Sequence, residues 1–228
     1  MSKKNQHQDP EQSVEQALNT TEHFIEKYKK PLIYTAVAIL AITAIGFAYQ
    51  HLYRKPLINE ALAQTFVAEQ HFRADSFAVA LNGDGNSLGF KQIIDEYGKN
   101  AGEAVYLYAG ISELQLGNYE SAISYLKKYD GDDVVLQARA ICNIGDAYAG
   151  LQNYKEAVSQ YMKAANLEEN PLAAGYLLKA GIAYEELGET AKALAAYEEI
   201  KTKYPQTVEG FEIDKYIARL TVSAQPQQ

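Results

Sequence analysis

The sequence predicts an all-α protein: a single N-terminal transmembrane helix followed by a solenoid of stacked helix pairs. Two observations carry this. From Leu32 to Tyr53 there are 22 consecutive residues without Asp, Glu, Lys or Arg. Downstream, three segments align with one another at spacings of 35 and then 36 residues. An uncharged run of that length suits a bilayer, and a fixed period of that size is the mark of a repeat array.

The chain has 228 residues and is 47% hydrophobic, which leaves ample material for a core. Its net charge of −8 is uneven. Residues 1–55 hold seven Lys/Arg and five Asp/Glu, while residues 56–228 hold 14 and 24. So acidic a body argues against non-specific nucleic-acid binding, which needs cations to neutralise phosphates. The single cysteine, Cys142, forms no internal disulfide and belongs to no Cys/His cluster of zinc-site spacing.

The apolar stretch PLIYTAVAILAITAIGFAYQHLY reads as an uncleaved signal anchor. At ~1.5 Å per residue its uncharged part is roughly 33 Å of helix, enough for the hydrocarbon core. Tyr34, Tyr49 and Tyr53 lie near its ends, where amphipathic rings favour the headgroup zone. Pro31 suits a first helical turn. The run exceeds a usual signal-peptide core, and about 30 residues precede it. A buried core helix is the other reading of such a run. Lys3, Lys4, Lys27, Lys29 and Lys30 in front, against Arg54 and Lys55 behind, favour a cytoplasmic N-terminus. Before the span, Val14, Ala17, Leu18, Thr21, Phe24, Ile25 and Tyr28 make one apolar stripe of a short helix. Residues 1–10 read as disordered.

The repeat comes next. YLYAGISELQLGNYESAISYLKKY, ICNIGDAYAGLQNYKEAVSQYMKAA and LLKAGIAYEELGETAKALAAYEEI align so that Gly110, Gly145 and Gly181 correspond. So do Tyr119, Tyr154 and Thr190, then Ala122, Ala157 and Ala193, then Leu126, Tyr161 and Tyr197. Each unit is a helix, a tight turn and a second helix. The small residue of the first helix lets the second approach, and the larger side chain fills the gap. Residues 57–100 form a degenerate leading unit, with Leu57, Ile58, Ala61, Leu62, Phe66 and Val67 on one face of its first helix and Gly89, Ile93 and Tyr97 on the second. The units span about 103–137, 138–171 and 174–207. A closing helix with Phe211, Tyr216, Ile217 and Leu220 covers the last apolar face over 208–221, and the tail 222–228 reads as disordered.

The glycine-rich stretch LNGDGNSLGF, Leu81 to Phe90, fits a turn inside the leading unit. As a calcium loop it has Ser87 where Gly is needed and Ile93 where a bidentate Glu is needed. It lacks the Lys-Ser/Thr of a P-loop and follows a helix rather than a strand. No catalytic constellation stands out. His7, His23, His51 and His71 form no HExxH, no serine sits in GxSxG, and Cys142 has no histidine nearby in sequence. The acidic pairs, such as Asp132–Asp133, Glu168–Glu169, Glu185–Glu186 and Glu198–Glu199, read as solvated helix ends and faces. No enzyme and no cofactor are expected.

The pattern resembles the tetratricopeptide repeat, carried by Gly145, Tyr148, Tyr154, Ala157, Tyr161 and Ala164 in one unit and by Gly181, Tyr184, Gly188, Ala193, Tyr197 and Pro205 in the next. The preceding unit departs at Glu113, where Tyr is usual. Together with the anchor and YPQTVEGF after the last unit, the whole chain resembles the periplasmic ancillary subunit family of the SecYEG translocon. The resemblance implies a 1–30 cytoplasmic segment, a span over 31–53 in a bacterial inner membrane, and a periplasmic repeat domain over 54–221. It implies as partners the translocon and a membrane-anchored periplasmic chaperone of the prolyl-isomerase type. A periplasmic scaffold for envelope assembly or cell division shares these features. A clamp for C-terminal carboxylates matches at Asn143 and Lys179 but meets Leu107 and Ile111 where Lys and Asn belong. By repeat register the first helices present a partner groove made of Leu107, Ile111 and Leu114, then Arg139, Asn143 and Asp146, then Leu178, Lys179 and Ile182.

Overall fold

A computed structural model describes the backbone of residues 10–223 apart from Glu168, and the side chains from residue 27 to 222 with the same exception. Of the residues expected to be disordered, 1–9 and 224–228 lie outside the described residues, whereas Pro10, Val222 and Ser223 are helical. The chain divides into two compact units, Met1–Pro56 and Leu57–Gln228.

In the first unit, helix α1 (Pro10–Ala48) leads into a π-helical segment, Tyr49–Arg54. Within Lys27–Arg73 lies a helical stretch long and apolar enough to cross a membrane, and none of it is buried. Pro31 sits inside α1, not in its first turn. The Glu, Gln, Ala, Leu and Lys residues before it are good helix formers and carry the helix upstream, although proline removes one backbone donor there. Two threonines in the apolar run bond back to their own helix. Thr35 Oγ1 donates to the Pro31 carbonyl at 2.5 Å, and Thr43 Oγ1 to the Leu40 carbonyl at 2.9 Å. Their hydroxyls therefore need no outside partner in an apolar medium.

Every regular element described from Lys55 onward is a helix. These are α2 (Lys55–Arg73), α3 (Phe77–Asn82), α4 (Phe90–Tyr97) with a 3-10 turn over Gly98–Ala101, α5 (Ala104–Gln115), α6 (Tyr119–Leu126), α7 (Val134–Gly150), α8 (Tyr154–Ala165), α9 (Ala173–Glu186), α10 (Thr190–Lys203) and α11 (Val208–Ser223). Pairs α5/α6, α7/α8 and α9/α10 are the three repeats, and α11 packs on α10 and α9.

The repeated glycines explain how each pair closes. A Cβ on Gly110 would stand 2.5 Å from Leu126 Cγ, and one on Gly145 would stand 2.6 Å from Tyr161 Cε1. The same clash recurs between Gly181 and the Tyr197 ring. Each turn ends its first helix with a six-to-one bond: Asn118 N donates to the Glu113 carbonyl, Asn153 N to Tyr148, and Glu189 N to Tyr184, at 2.8–2.9 Å. This Schellman ending needs a left-handed residue, and Gly117, Gln152 and Gly188 supply it with φ of 79°, 59° and 70°.

The leading unit holds surprises. An extra short helix, α3, stands between its first and second helices. The buried side of α2 is Ala61, Thr65 and Ala68, whereas Leu62 and Phe66 are exposed. Leu62 and Phe66 do not share the buried face of Ala61 expected from the sequence, because the small residues are the ones that admit α3, α4 and α5. In the glycine loop, the Asp84 carboxylate accepts from Asn86 N, Ser87 N and Ser87 Oγ at 2.7–2.9 Å. Those three bonds, led by the Ser87 amide, hold its pKa down at about 2. The carboxylate is thus spent on closing its own turn. Helix α11 runs to Ser223, two residues past the expected end of the closing helix.

Candidate partner-binding groove

The first helices of the repeats, α5, α7 and α9, carry the nine residues that sequence register assigned to a groove. On α7, Arg139, Asn143 and Asp146 fall at steps of four and three, so they share one helix face. Lys179 of α9 reaches across to that face and holds Asp146 with Nζ–Oδ1 and Nζ–Oδ2 distances of 2.8 and 2.7 Å. Tyr161 of α8 donates its hydroxyl to the same carboxylate at 2.8 Å. Burial, then Asp146, pushes the Tyr161 hydroxyl well above the usual phenol range. Lys179 also stands over the Tyr161 ring, 5.9 Å from its centroid.

A similar network recurs one repeat later with different residues. Tyr197 donates to Glu185 Oε1 at 2.5 Å, and Arg219 of α11 grips both oxygens of Glu185 at 2.6 and 2.8 Å. In both repeats the tyrosine of the second helix is tied to a carboxylate of the first, and a cation of the following first helix closes the set. One repeat earlier, Glu113 is buried with 1% exposure, salt-bridged to Lys91 of α4 at 2.8 Å, and accepts from Asn118 Nδ2 at 2.7 Å. These bonds lock neighbouring helices together.

Between α7 and α9 lies a cavity of about 400 Å³. Arg139, Asn143, Cys142, Tyr176 and Lys179 line it, with aliphatic Val135 and Leu172 on its two walls. Both aliphatic residues are exposed, at 38% and 52%. Asn143 Nδ2 is buried with no hydrogen-bond partner. Cys142 is 3% exposed, and burial followed by Asp146 pushes its thiol up to about 12, so it has little thiolate to react with.

The structure thus brings four of the nine residues together: Arg139, Asn143, Asp146 and Lys179. It does not open the α5 end. Leu107 is 4% exposed, in a cluster with Leu126, Ala122 and Ile144, and Ile111 and Leu114 are half-buried against that cluster. Their apolar character builds core between α5, α6 and α7. Leu178 packs half-buried against the C-terminal core, and Ile182 is 41% exposed. Register along the first helices missed Tyr161, Tyr176, Val135 and Leu172. The one sequence signal for Val135 and Leu172 was an aliphatic residue at a polar helix start. Among the described residues, no group of three or more His, Cys, Asp or Glu is placed to hold a metal ion.

Residues 138–171 and 176–207 each match a tetratricopeptide repeat family. The chain is 32% identical over 102 residues to the 43 kDa receptor-associated protein of the synapse from Gallus gallus; the match covers 41% of this chain and 24% of that protein. Among solved structures, MamA superposes with a TM-score of 0.53 at 21% identity, covering 69% of this chain and 89% of MamA. A Podosopora anserina putative kinesin light chain with nearly identical TPR-like repeats gives 0.55 at 14% identity, covering 73% and 87%. At such identities the likeness is one of fold. Repeat matches, repeated closing geometry and shared architecture agree: residues 138–171 and 176–207 are tetratricopeptide repeats within an all-helical solenoid.

Proposed function

We propose that this protein is a membrane-anchored periplasmic adaptor of a bacterial inner membrane, an accessory subunit of the Sec translocon that works with a membrane-anchored prolyl-isomerase-type chaperone on secreted proteins. The observation that carries the reading is an unburied apolar helix placed ahead of a repeat domain with a polar cavity between its first helices. The lysine bias before the span supports a cytoplasmic N-terminus. The α7–α9 face, with Arg139, Asn143 and Lys179, is the working surface. A scaffold for envelope assembly or cell division shares the anchor and the repeats, and partner identity separates the two.

The test is photo-crosslinking in intact cells from Asn143, with exposed Lys163 of α8 as the control. Trapping of translocon or chaperone subunits at Asn143 and not at Lys163 is the expected result. Trapping of division or envelope-assembly proteins would favour the scaffold. Equal trapping at both positions, or none, removes the groove. Orientation is checked with single cysteines near residues 5 and 225 in a Cys142→Ser background. Labelling by an impermeant maleimide at residue 5 alone overturns the periplasmic placement.

A further inference from the structure

Helix α2 opens the repeat domain, and both of its sides are apolar. Ala61, Thr65 and Ala68 face the core. On the opposite side Leu62 is 51% exposed and Phe66 56%. Asn59, Ala63 and Gln70 are exposed beside them. At 3.6 residues per turn these five fall within one strip of roughly 100°. None of the five is charged, although residues 56–228 hold 24 Asp/Glu against 14 Lys/Arg. Loss of charge around exposed apolar side chains marks surface that a partner covers. The spacing says what kind of partner. Asn59, Leu62 and Phe66 lie at steps of three and four, which is the a, d, a spacing of a two-stranded coiled coil. Asparagine at an a position meets its own copy in a parallel pair and fixes the register, and leucine at d favours two strands. The seam is short: Lys55 precedes it, and Glu69, at the next d position, is held by Arg73 at 3.2 Å.

We propose that this strip is a contact between two copies of the chain, with their α2 helices parallel and in register, Asn59 against Asn59 and Phe66 against Phe66. Charge selects the copy. Two domains of the same acidic sign repel except where both are neutral, and a strip that complements itself suits a twofold axis. The chain's other apolar stripe, Val14 to Tyr28, is no rival occupant. The span lies between it and α2, so an anchored chain holds the two on opposite sides of the bilayer. Anchoring also supplies what the seam lacks in length. Two helices in contact over so few turns bury less than the roughly 1,200 Å² of a standard interface. Confinement of both copies to one bilayer raises the effective concentration of the partner, as a linker does, and gives both chains the same direction. Pairing is therefore a property of the membrane-bound chain and is lost on dilution in detergent. This rests on the anchor reading above and adds a second copy as partner.

Disulfide trapping tests it. Cys142 is the one cysteine and is buried, so a single new cysteine reports cleanly once Cys142 is replaced. Full-length Cys142→Ser chains carry Asn59→Cys, Leu62→Cys or Phe66→Cys, with Glu60→Cys as the control outside the strip. They are reconstituted in phosphatidylethanolamine–phosphatidylglycerol vesicles and oxidised with copper phenanthroline. A disulfide needs Cα atoms within about 7 Å, so each strip position should give about fivefold more linked dimer than Glu60→Cys. Adding Phe66→Glu to the Asn59→Cys chain sets two like charges on the seam and should cut its dimer by about fivefold. In dilute detergent, where the copies part, Phe66→Glu should leave the thermal midpoint unchanged, because an exposed ring has no packing of its own to lose. Four results would each overturn the proposal: no dimer, which leaves the strip to another protein; equal dimer at Glu60→Cys; a mixture of Asn59→Cys and Phe66→Cys chains that links better than either alone, which means antiparallel helices; or a lowered midpoint in Phe66→Glu. A flotation gradient separates this inference from the reading beneath it. A chain that fails to float with the vesicles sinks the anchor and the pairing together, whereas one that floats without linking sinks the pairing alone.

Discussion

Gln152 occupies the turn position that Gly117 and Gly188 fill in the flanking repeats, and its φ of 59° is left-handed. A side chain there strains the backbone by about 1–2 kcal/mol. Glycine removes that strain but loosens the unfolded chain by about 0.4–1 kcal/mol. Gln152→Gly should therefore stabilise the repeat domain by about 0.5–1 kcal/mol, read as a rise in the chemical-denaturation midpoint at unchanged slope. A fall in midpoint would mean the Gln152 side chain makes compensating contacts. Glu113 shows the opposite case at the same scale. It takes the place of a tyrosine and stays buried because Lys91 and Asn118 satisfy it.

At the scale of helix pairs, the glycines of α5, α7 and α9 set how near the second helix comes. Gly145→Ala would put a methyl 2.6 Å from the Tyr161 ring, whose hydroxyl is fixed on Asp146. The ring cannot give way without losing that bond, so overpacking of about 1–3 kcal/mol outweighs the roughly 0.5–1 kcal/mol that Ala gains in a helix. The variant should lose about 1–2 kcal/mol by denaturation, and a second change, Tyr161→Leu, should recover part of it. If Gly145→Ala proves stabilising, the α7–α8 contact is looser than described.

For the whole repeat domain, three buried acids share a direction. Cys142 is pushed up to about 12, and Tyr161 and Tyr197 are raised, each chiefly by burial. These groups hold their protons more tightly in the folded state than in the unfolded chain, where thiol and phenol titrate near ~8.5 and ~10. The stability they lend is complete below those unfolded values and is lost as pH rises through them toward the folded values. The urea midpoint of the full chain in micelles should hold through neutral pH and fall from about pH 8.5 upward, and Cys142→Ala should delay the onset toward pH 10. A midpoint that climbs over this range contradicts the burial of these groups.

The sequence by itself determined the parts that depend on local spacing. An uncharged run dictates a long apolar helix, and Gly145, Ala157 and Tyr161 at fixed offsets dictate a helix pair, because backbone geometry alone places them face to face. The Schellman turns at LGNY, LQNY and LGET follow from the same local rules. Tertiary structure decided what lies between elements. Leu107 and Ile111 read as groove from register, yet neighbouring helices cover them, and no periodicity within α5 reports that. Leu62 and Phe66 are exposed because α3, α4 and α5 meet the small side of α2 instead. The union of Asp146, Lys179 and Tyr161 joins three helices across 33 residues. Such contacts arise from long-range packing, where the entropy of bringing distant segments together is offset by burial that no single stretch of sequence encodes.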